Sequence, residues 1–341
     1  MPFVVAALYH FVDLPEHESL LDPMQDFCKK HNIQGTLLLA AEGINGTIAG
    51  SRSDIDATLA YLRGIEGLEE LAHKESFCDI APFFRLKIKL RKEIVTMGVD
   101  DVRPVDRVGT YVEPEEWNEL ISQDDVVLID TRNDFEVRVG HFKNAVDPNT
   151  TSFTEFPEYV SDNLSPEKNK RVAMYCTGGI RCEKATSHLL EQGYEEVFHL
   201  KGGILKYLEK IPESESMWQG ECFVFDRRVS VGHGLAVGTF ELCHGCQSPL
   251  SAEQRTHKDF VFAVCCEYCA DTMTPERRKG LEMRLSQMKL AESRGENHLG
   301  MDEQQMYLRR KAKEAAKEAE RLRQGHAPNK AASNKTASRR S

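Results

Sequence analysis

Cys176 opens the stretch Cys176-Thr177-Gly178-Gly179-Ile180-Arg181-Cys182, directly after the apolar run Val172-Ala173-Met174-Tyr175. Helix-forming residues follow from Glu183 to Gln192, closed by Gly193. The pattern is a strand, a tight glycine loop and a helix start. A thiol at the mouth of such a loop faces backbone N–H groups and the positive end of a helix dipole, and both favour the nucleophilic thiolate. Arg181 adds a fixed positive charge and a fork that binds anions bidentately. Cys176 and Arg181 are therefore the candidate catalytic pair. The bland alternative is a buried structural cysteine, but packing alone asks for neither the two glycines nor the arginine. Cys182 is read in two ways: as a thiol that resolves an oxidised Cys176, or as a small apolar residue of the first helical turn.

A second set of thiols lies further on. Cys243-His244-Gly245-Cys246 and Cys266-Glu267-Tyr268-Cys269 are two C-x2-C pairs with nineteen residues between them. That is zinc-ribbon spacing, each pair offering two thiolates to one tetrahedral ion. Cys243, Cys246, Cys266 and Cys269 are the candidate metal ligands, with a structural zinc as the implied ion. Cys265 and His244 leave the register open, and redox-active or unmetallated thiols are the alternative. A closed four-sulfur site has no open position for catalysis. The twelve histidines are scattered, with no H-x-H or H-x3-H pair for a non-haem iron site, and no G-x-G-x-x-G follows a strand, so no flavin or nicotinamide motif is found.

These groups must be positioned by more than one domain, since 341 residues exceed one ordinary domain. The first ninety residues read as β-α-β-β-α-β: strand Phe3–Phe11, helix Leu20–His31, strand Gly35–Ala41, a turn over Glu42–Gly46, a returning strand Thr47–Ala49, helix Ser53–Leu62 capped by Ser51 or Ser53, and a last strand Phe84–Val95. That order implies a ferredoxin-like (acylphosphatase-like) sandwich over 1–101. Alternation places Arg85, Lys87, Lys89 and Arg91 on one face of the last strand. They suit an RNA platform or charge protection of an exposed strand equally well. After a linker at 102–112, a second domain spans 113–216. In it helix Pro114–Ser122, strand Val126–Arg132, the Cys176 unit, strand Val197–Leu200 and helix Ile204–Leu208 imply an α/β domain with a parallel sheet. Its active loop sits at a strand's carboxyl end, where such sheets bind ligands. Asp130 and Arg132, ending the neighbouring strand, are expected to border the same crevice, and His141 to be a structural loop histidine. The cysteine-rich segment covers 217–290 and ends in a helix, Thr274–Leu290; 291–341 is a charged, partly disordered tail with a helical stretch at Arg309–Arg323.

Charge divides along the chain. Arg309–Ser341 carries eleven Lys/Arg and three Asp/Glu, net +8, so the rest is −18 within a total of −10. An acidic body argues against indiscriminate nucleic-acid binding, while a basic tail or strand holds a polyanion locally. No apolar run approaches the roughly 18 residues of a membrane helix. Met1–Leu8 lacks a basic leader and is followed by Asp13 and Glu16, so it reads as a strand rather than a signal peptide. A cytoplasmic protein with reduced thiols is expected.

Four stretches resemble a rhodanese domain: Val127–Arg132, Gly140–Ala145, the Cys176–Arg181 loop, and Gly193-Tyr194 through Gly203. The rhodanese family places a persulfide-forming cysteine where Cys176 stands. The loop also resembles cysteine phosphatases, but four rather than five residues separate Cys and Arg, leaving less room for a tetrahedral phosphate. Ala40–Ile48, Trp218–Arg228 and Val229–Gly234, together with the three-part order, make the chain similar to the oxygen-dependent tRNA uridine hydroxylases. That resemblance, and nothing in spacing or periodicity, implies molecular oxygen as co-substrate, tRNA (its anticodon region) as partner, and hydroxylation of the wobble uridine at carbon 5 to 5-hydroxyuridine; no protein partner is predicted. With that activity, oxygen chemistry would pass through the sulfur of Cys176. Two rivals remain: a rhodanese-type sulfurtransferase carrying sulfane sulfur on Cys176, and a non-catalytic RNA-binding zinc protein.

Overall fold

The computed structural model describes residues 2–100 and 102–293. The charged helix expected over Arg309–Arg323 and the rest of the basic tail lie outside the described residues. No described helix is long and apolar enough to cross a membrane.

The N-terminal sheet holds β1 (Phe3–Phe11), β2 (Gln34–Ala40), β3 (Gly43–Gly50), β4 (His73–Cys78) and β5 (Leu86–Leu90), in the order β4-β1-β3-β2-β5. Helices α1 (Leu21–Lys30) and α2 (Arg52–Arg63) cover one face. Met24, Cys28, Ile55, Leu59 and Leu62 pack there on Leu8, Leu37, Leu39, Ile44 and Ile48, the inward set of three alternating strands. Ser51 caps α2, its Oγ accepting the Asp54 N–H at 3.2 Å. The first four strands and two helices form the expected βαββαβ sandwich. Its fourth strand, however, is His73–Cys78, not Phe84–Val95. His-Lys-Glu-Ser-Phe-Cys has little strand signal of its own and forms because the open edge of β1 offers a ladder to pair with. The later strand is only five residues long and adds to the far edge, parallel to β2. Lys87 and Lys89 alternate outward there while Ile88 is buried. The β2–β3 turn shrinks to Ala41-Glu42, with Ala40 opposite Gly43.

The second domain is a four-stranded parallel sheet, β6-β10-β9-β7, of β6 (Thr110–Val112), β7 (Val126–Asp130), β9 (Arg171–Tyr175) and β10 (Glu196–Leu200). Strand β6 arises from the stretch read as linker. Helices α3 (Pro114–Ile121) and α7 (Gly203–Lys210) pack on one face around Trp117, Tyr207 and Leu208. Helices α5 (Phe156–Asn163) and α6 (Ile180–Glu191) pack on the other around Phe156, Val160, Ala185 and Leu189. A short α4 (Asp134–Val137) and β8 (Gly140–Phe142) follow β7.

The chain does not leave this domain at residue 216. Strand β11 (Trp218–Gly220) pairs antiparallel with β8, setting Trp218 opposite Phe142. Trp218, Cys222, Val224 and Val231 join the α3/α7 core, and β12 (Cys222–Phe223) pairs with β13 (Ser230–Val231). Only beyond these does the cysteine-rich lobe begin, with the β14 (Glu241–Leu242) and β15 (Pro249–Leu250) hairpin and, after the last cysteine, α8 (Pro275–Glu292).

Candidate active site and cysteine cluster

Cys176 follows directly on β9 and has no solvent exposure of its own. The loop folds back so that the Gly179 N–H donates to its sulfur at 3.1 Å. This needs Gly179: its φ is +104°, and a Cβ there would lie 2.7 Å from the Tyr9 hydroxyl. The start of α7 holds the loop from behind, the N–H groups of Ile204 and Leu205 donating to the carbonyls of Cys176 and Thr177 at 3.0 and 3.1 Å. Gly203 permits that approach, since a Cβ would sit 2.5 Å from the Cys176 oxygen. The Gly202-Gly203 pair thus has a mechanical reason to follow the last strand. Burial pushes the Cys176 thiol up, but the Cys182 thiol, the Arg181 charge and the N–H groups of Cys182 and Gly179 outweigh it and lower the pKa to about 5. Cys182, also fully buried, moves the opposite way through burial and the neighbouring Cys176.

Arg181 does not reach for a ligand. Its two terminal nitrogens bind the Glu136 carboxylate, each at 2.7 Å. Glu136 is fully buried on α4 and also accepts from the Thr177 hydroxyl at 3.2 Å. Burial raises its pKa, but the Arg181 and then the Arg132 guanidinium bring it below the usual carboxylate range. Glu136 escapes sequence reading because a glutamate in a four-residue helix looks solvated. Arg181 therefore gives Cys176 a charge while its forked donors are occupied. Asp130 and Arg132 correct an expectation: they do not border the crevice. Both are completely buried and bind one another bidentately at 2.6 to 3.2 Å, and Arg132 donates to the Gly140 carbonyl at 2.6 Å. They brace the turn from β7 to β8. His141 lies on β8 with a ring nitrogen 3.1 Å from the Phe142 carbonyl.

A cavity of about 390 Å³ opens over the loop. Cys176, Thr177 and Gly178 line one side, Tyr9, Asn45 and Lys74 of the N-terminal sheet the other, and Phe225 and Arg228 of the stretch after β12 a third. The Lys74 ammonium donates to the Gly178 carbonyl at 3.0 Å. Burial lowers its pKa to about 8 against the attraction of Cys176 and Glu183. The Tyr9 hydroxyl donates to Glu183 at 2.7 Å, and burial raises the Glu183 pKa despite that bond. Lys184 of α6, 2% exposed, is held by Glu42 at 2.9 Å and by Glu93. Glu42 also takes the Ile94 N–H at 2.6 Å, so the Ala40–Ile48 stretch acts as a tie between the two domains. Arg228, paired with Asp226, donates to Ser76 of β4 at 2.6 Å. Sequence reading missed Tyr9, Lys74, Glu136 and Glu183; only the three stretches Ala40–Ile48, Trp218–Arg228 and Val229–Gly234, named for their resemblance, pointed toward this surface.

The four sulfurs of Cys243, Cys246, Cys266 and Cys269 lie within 4.8 Å of one another, the one such group among the described residues. Three of the separations are 3.6, 3.9 and 3.9 Å. A tetrahedral ion with metal–sulfur bonds of about 2.3 Å spaces its ligands by roughly 3.8 Å, so the set fits zinc. Cys265 is turned away, its thiol donating to the Asp259 carbonyl at 3.5 Å, and His244 faces the Phe262 ring.

A glycine-looped thiolate on a parallel α/β domain, roofed by an acylphosphatase-like sandwich, defines a rhodanese-type enzyme of composite architecture. Residues 3–94 match the UPF0176 acylphosphatase like domain family and residues 113–210 the Rhodanese-like domain family. The chain is 57% identical over 298 residues to a tRNA uridine(34) hydroxylase of Teredinibacter turnerae, covering 87% of this chain and 93% of that protein. It belongs to the tRNA uridine(34) hydroxylase family. Among solved structures, a rhodanese-like domain protein of Staphylococcus aureus shares 23% identity over 29% of this chain and 90% of that one, with a TM-score of 0.25. The rhodanese-like domain of an Anabaena protein shares 17% over 32% and 78%, with a TM-score of 0.27. Likenesses this small decide nothing about the chain.

Proposed function

We propose that this protein hydroxylates carbon 5 of the wobble uridine in the anticodon region of tRNA, using molecular oxygen and giving 5-hydroxyuridine, in the cytoplasm. The observation that carries this reading is the 57% identity to a tRNA uridine(34) hydroxylase, running through 93% of that protein's length. Cys176 is the catalytic sulfur; Arg181 and the loop amides keep it anionic. Because Cys176 is roofed by β1 and β4, the target base has to leave its stack and enter the cavity, as bases do in enzymes that act on them chemically. Hydroxylation by oxygen puts one oxygen atom on carbon 5 and releases the other as water, consuming two electrons and two protons. Residues 1–101 and the rhodanese domain with its added layer up to residue 231 act together in this reading, the lobe beyond carries a structural zinc on Cys243, Cys246, Cys266 and Cys269, and the basic 291–341 tail adds phosphate attraction.

Occupancy of Arg181 favours this reading over thiosulfate sulfur transfer, because an anionic donor finds both fork nitrogens already bound to Glu136. The test is nucleoside mass spectrometry of tRNA from cells lacking the protein, complemented with wild type or Cys176→Ala. Hydroxyuridine derivatives should fall in the null and the variant and return with wild type. Unchanged hydroxyuridine with altered thiolated nucleosides would instead mark a sulfurtransferase, and no change in either would remove tRNA modification altogether.

A further inference from the structure

The face of the N-terminal sheet turned away from α1 and α2 roofs the cavity. Leu8, Ile44 and Ile48 face the helices, so strand alternation puts Tyr9, Asn45 and Thr47 on the opposite face, where all three line the cavity. Tyr9 on β1 stands opposite Asn45 on β3, and Lys74 on β4 stands opposite Ala7 of β1, one step along the same face. Two of these side chains have hydrogen-bonding capacity left over. The Asn45 side-chain amide donates to the Ile94 carbonyl at 2.8 Å, and that bond fixes which way the amide points. Its Oδ1 atom accepts from no described residue. The Lys74 ammonium uses one of its three donors on the Gly178 carbonyl at 3.0 Å and forms no ion pair with a described carboxylate. It leans over the Tyr9 ring, 5.2 Å from the ring centre, and β1 is the strand between it and Asn45. The Tyr9 hydroxyl is already given to Glu183 at 2.7 Å. A free acceptor and a free donor thus flank one aromatic ring in the cavity roof.

We infer that Asn45 and Lys74 read the base: Asn45 Oδ1 accepts the N3–H of uracil and the Lys74 ammonium donates to its carbon 4 carbonyl, so that the site takes uracil and refuses cytosine. The inference rests on the hydroxylase reading, which requires a uracil ring in this cavity. Uracil carries that donor and that acceptor on adjacent ring positions. Cytosine reverses both: its N3 is a bare acceptor, and its carbon 4 bears an amino donor. In this site cytosine would set a lone pair against Asn45 Oδ1 and N–H groups against an ammonium, leaving both protein groups unpaired. The placement of the two residues agrees with the chemistry. Lys74 is tied to the Cys176 loop through Gly178, so the carbonyl it takes is held at that loop. In uracil the carbon 4 carbonyl adjoins carbon 5, the atom to be hydroxylated. Holding that carbonyl at the loop brings carbon 5 to the sulfur, and N3, on the other side of carbon 4, points away from it toward the sheet.

The experiment measures binding without oxygen, so that no hydroxylation takes place. The full-length protein is titrated with three anticodon stem-loop RNAs that differ at the wobble position alone: uridine, cytidine, and 3-methyluridine, which lacks the N3–H. Wild type should bind the uridine RNA more tightly than either of the others by about tenfold or more. Asn45→Leu, checked for folding by thermal unfolding, should lose the preference over both, through weaker binding of the uridine RNA. Lys74→Met, checked in the same way, should narrow the preference over cytidine by about tenfold and keep the preference over 3-methyluridine. Equal binding of the three RNAs by wild type, binding of none, or an undiminished preference for uridine over cytidine in either folded variant overturns the inference. The hydroxylase reading stands or falls separately, on whether hydroxyuridine disappears from the null cells. Hydroxyuridine that depends on the protein, together with equal binding of the three RNAs, would remove the base reader and leave that reading intact.

Discussion

Cys176 and Arg181 stand out in the sequence because glycine, cysteine and arginine at that spacing have no packing explanation. Their partner Glu136 does not, since nothing local tells a buried glutamate from a solvated one. The pair Arg181–Glu136 decides what the loop can do: it fixes a positive charge beside the sulfur and removes the fork that an anion would use. Replacing Glu136 by Gln should strand a buried guanidinium and destabilise the protein by roughly 3–5 kcal/mol, read in denaturant unfolding. The Cys176 thiolate should survive that change, because Arg181 then has no competing carboxylate; thiolate absorbance at 240 nm, taken as the difference from Cys176→Ala, checks this. A lost thiolate would mean that Glu136 also positions Arg181. In the wild type the same absorbance should persist from neutral pH down to a midpoint near 5. A thiol at about 8.5 in the unfolded chain and lower when folded stabilises fully above pH of about 8.5, progressively less as pH falls, and not at all below the folded value.

Among the elements, the strands were most legible where alternation or a buried apolar run marked them, as in β1, β7 and β9. They were least legible where a neighbour's open edge recruited a polar segment. Strand β4 is the clear case, and it matters because it carries Lys74 and Ser76 to the cavity. Helix α6 shows the converse. Arg-Cys-Glu-Lys looks like an exposed helix start, yet Arg181, Glu183 and Lys184 are all buried, each matched by an oppositely charged or hydroxyl partner from another element. Trp218 belongs to the same class of finding: chain order suggests the next domain, but its indole packs edge-on against Phe142 at 5.0 Å. Trp218→Ala should therefore lower the stability of the rhodanese domain itself by about 3–5 kcal/mol, visible as an earlier denaturant midpoint in the signal of that domain. A midpoint unmoved would place Trp218 outside the cooperative unit.

For the whole molecule, the site is assembled from three separated parts of the chain. The loop supplies the sulfur, the N-terminal sheet the roof, and residues 217–231 both a rhodanese-core layer and a wall of the cavity. The cysteine lobe has little apolar core beyond the thiols themselves, a few buried residues such as Leu250 and Val264. A lobe of that size depends on a cross-link or metal. Metal analysis of the purified protein should find about one zinc per chain, lost in Cys246→Ser. Chelation should open the lobe between residues 241 and 273 to proteases and leave the fragment up to residue 231 protected. Protection of both regions after complete zinc removal would show that the lobe folds on apolar contacts alone.

The sequence by itself determined the chemistry-bearing groups that sit close together along the chain: the Cys176–Arg181 loop, the two C-x2-C pairs, and the alternation of strands and helices behind them. Local spacing dictates these, because a loop of four residues or a metal knuckle is built from neighbours. Tertiary structure alone decided that Arg181 is bound to Glu136, that Asp130 and Arg132 are a buried brace, and that Tyr9 and Lys74 close over Cys176. Those facts depend on which charges are desolvated together, and desolvation is set by contacts between residues as far apart as Lys74 and Gly178.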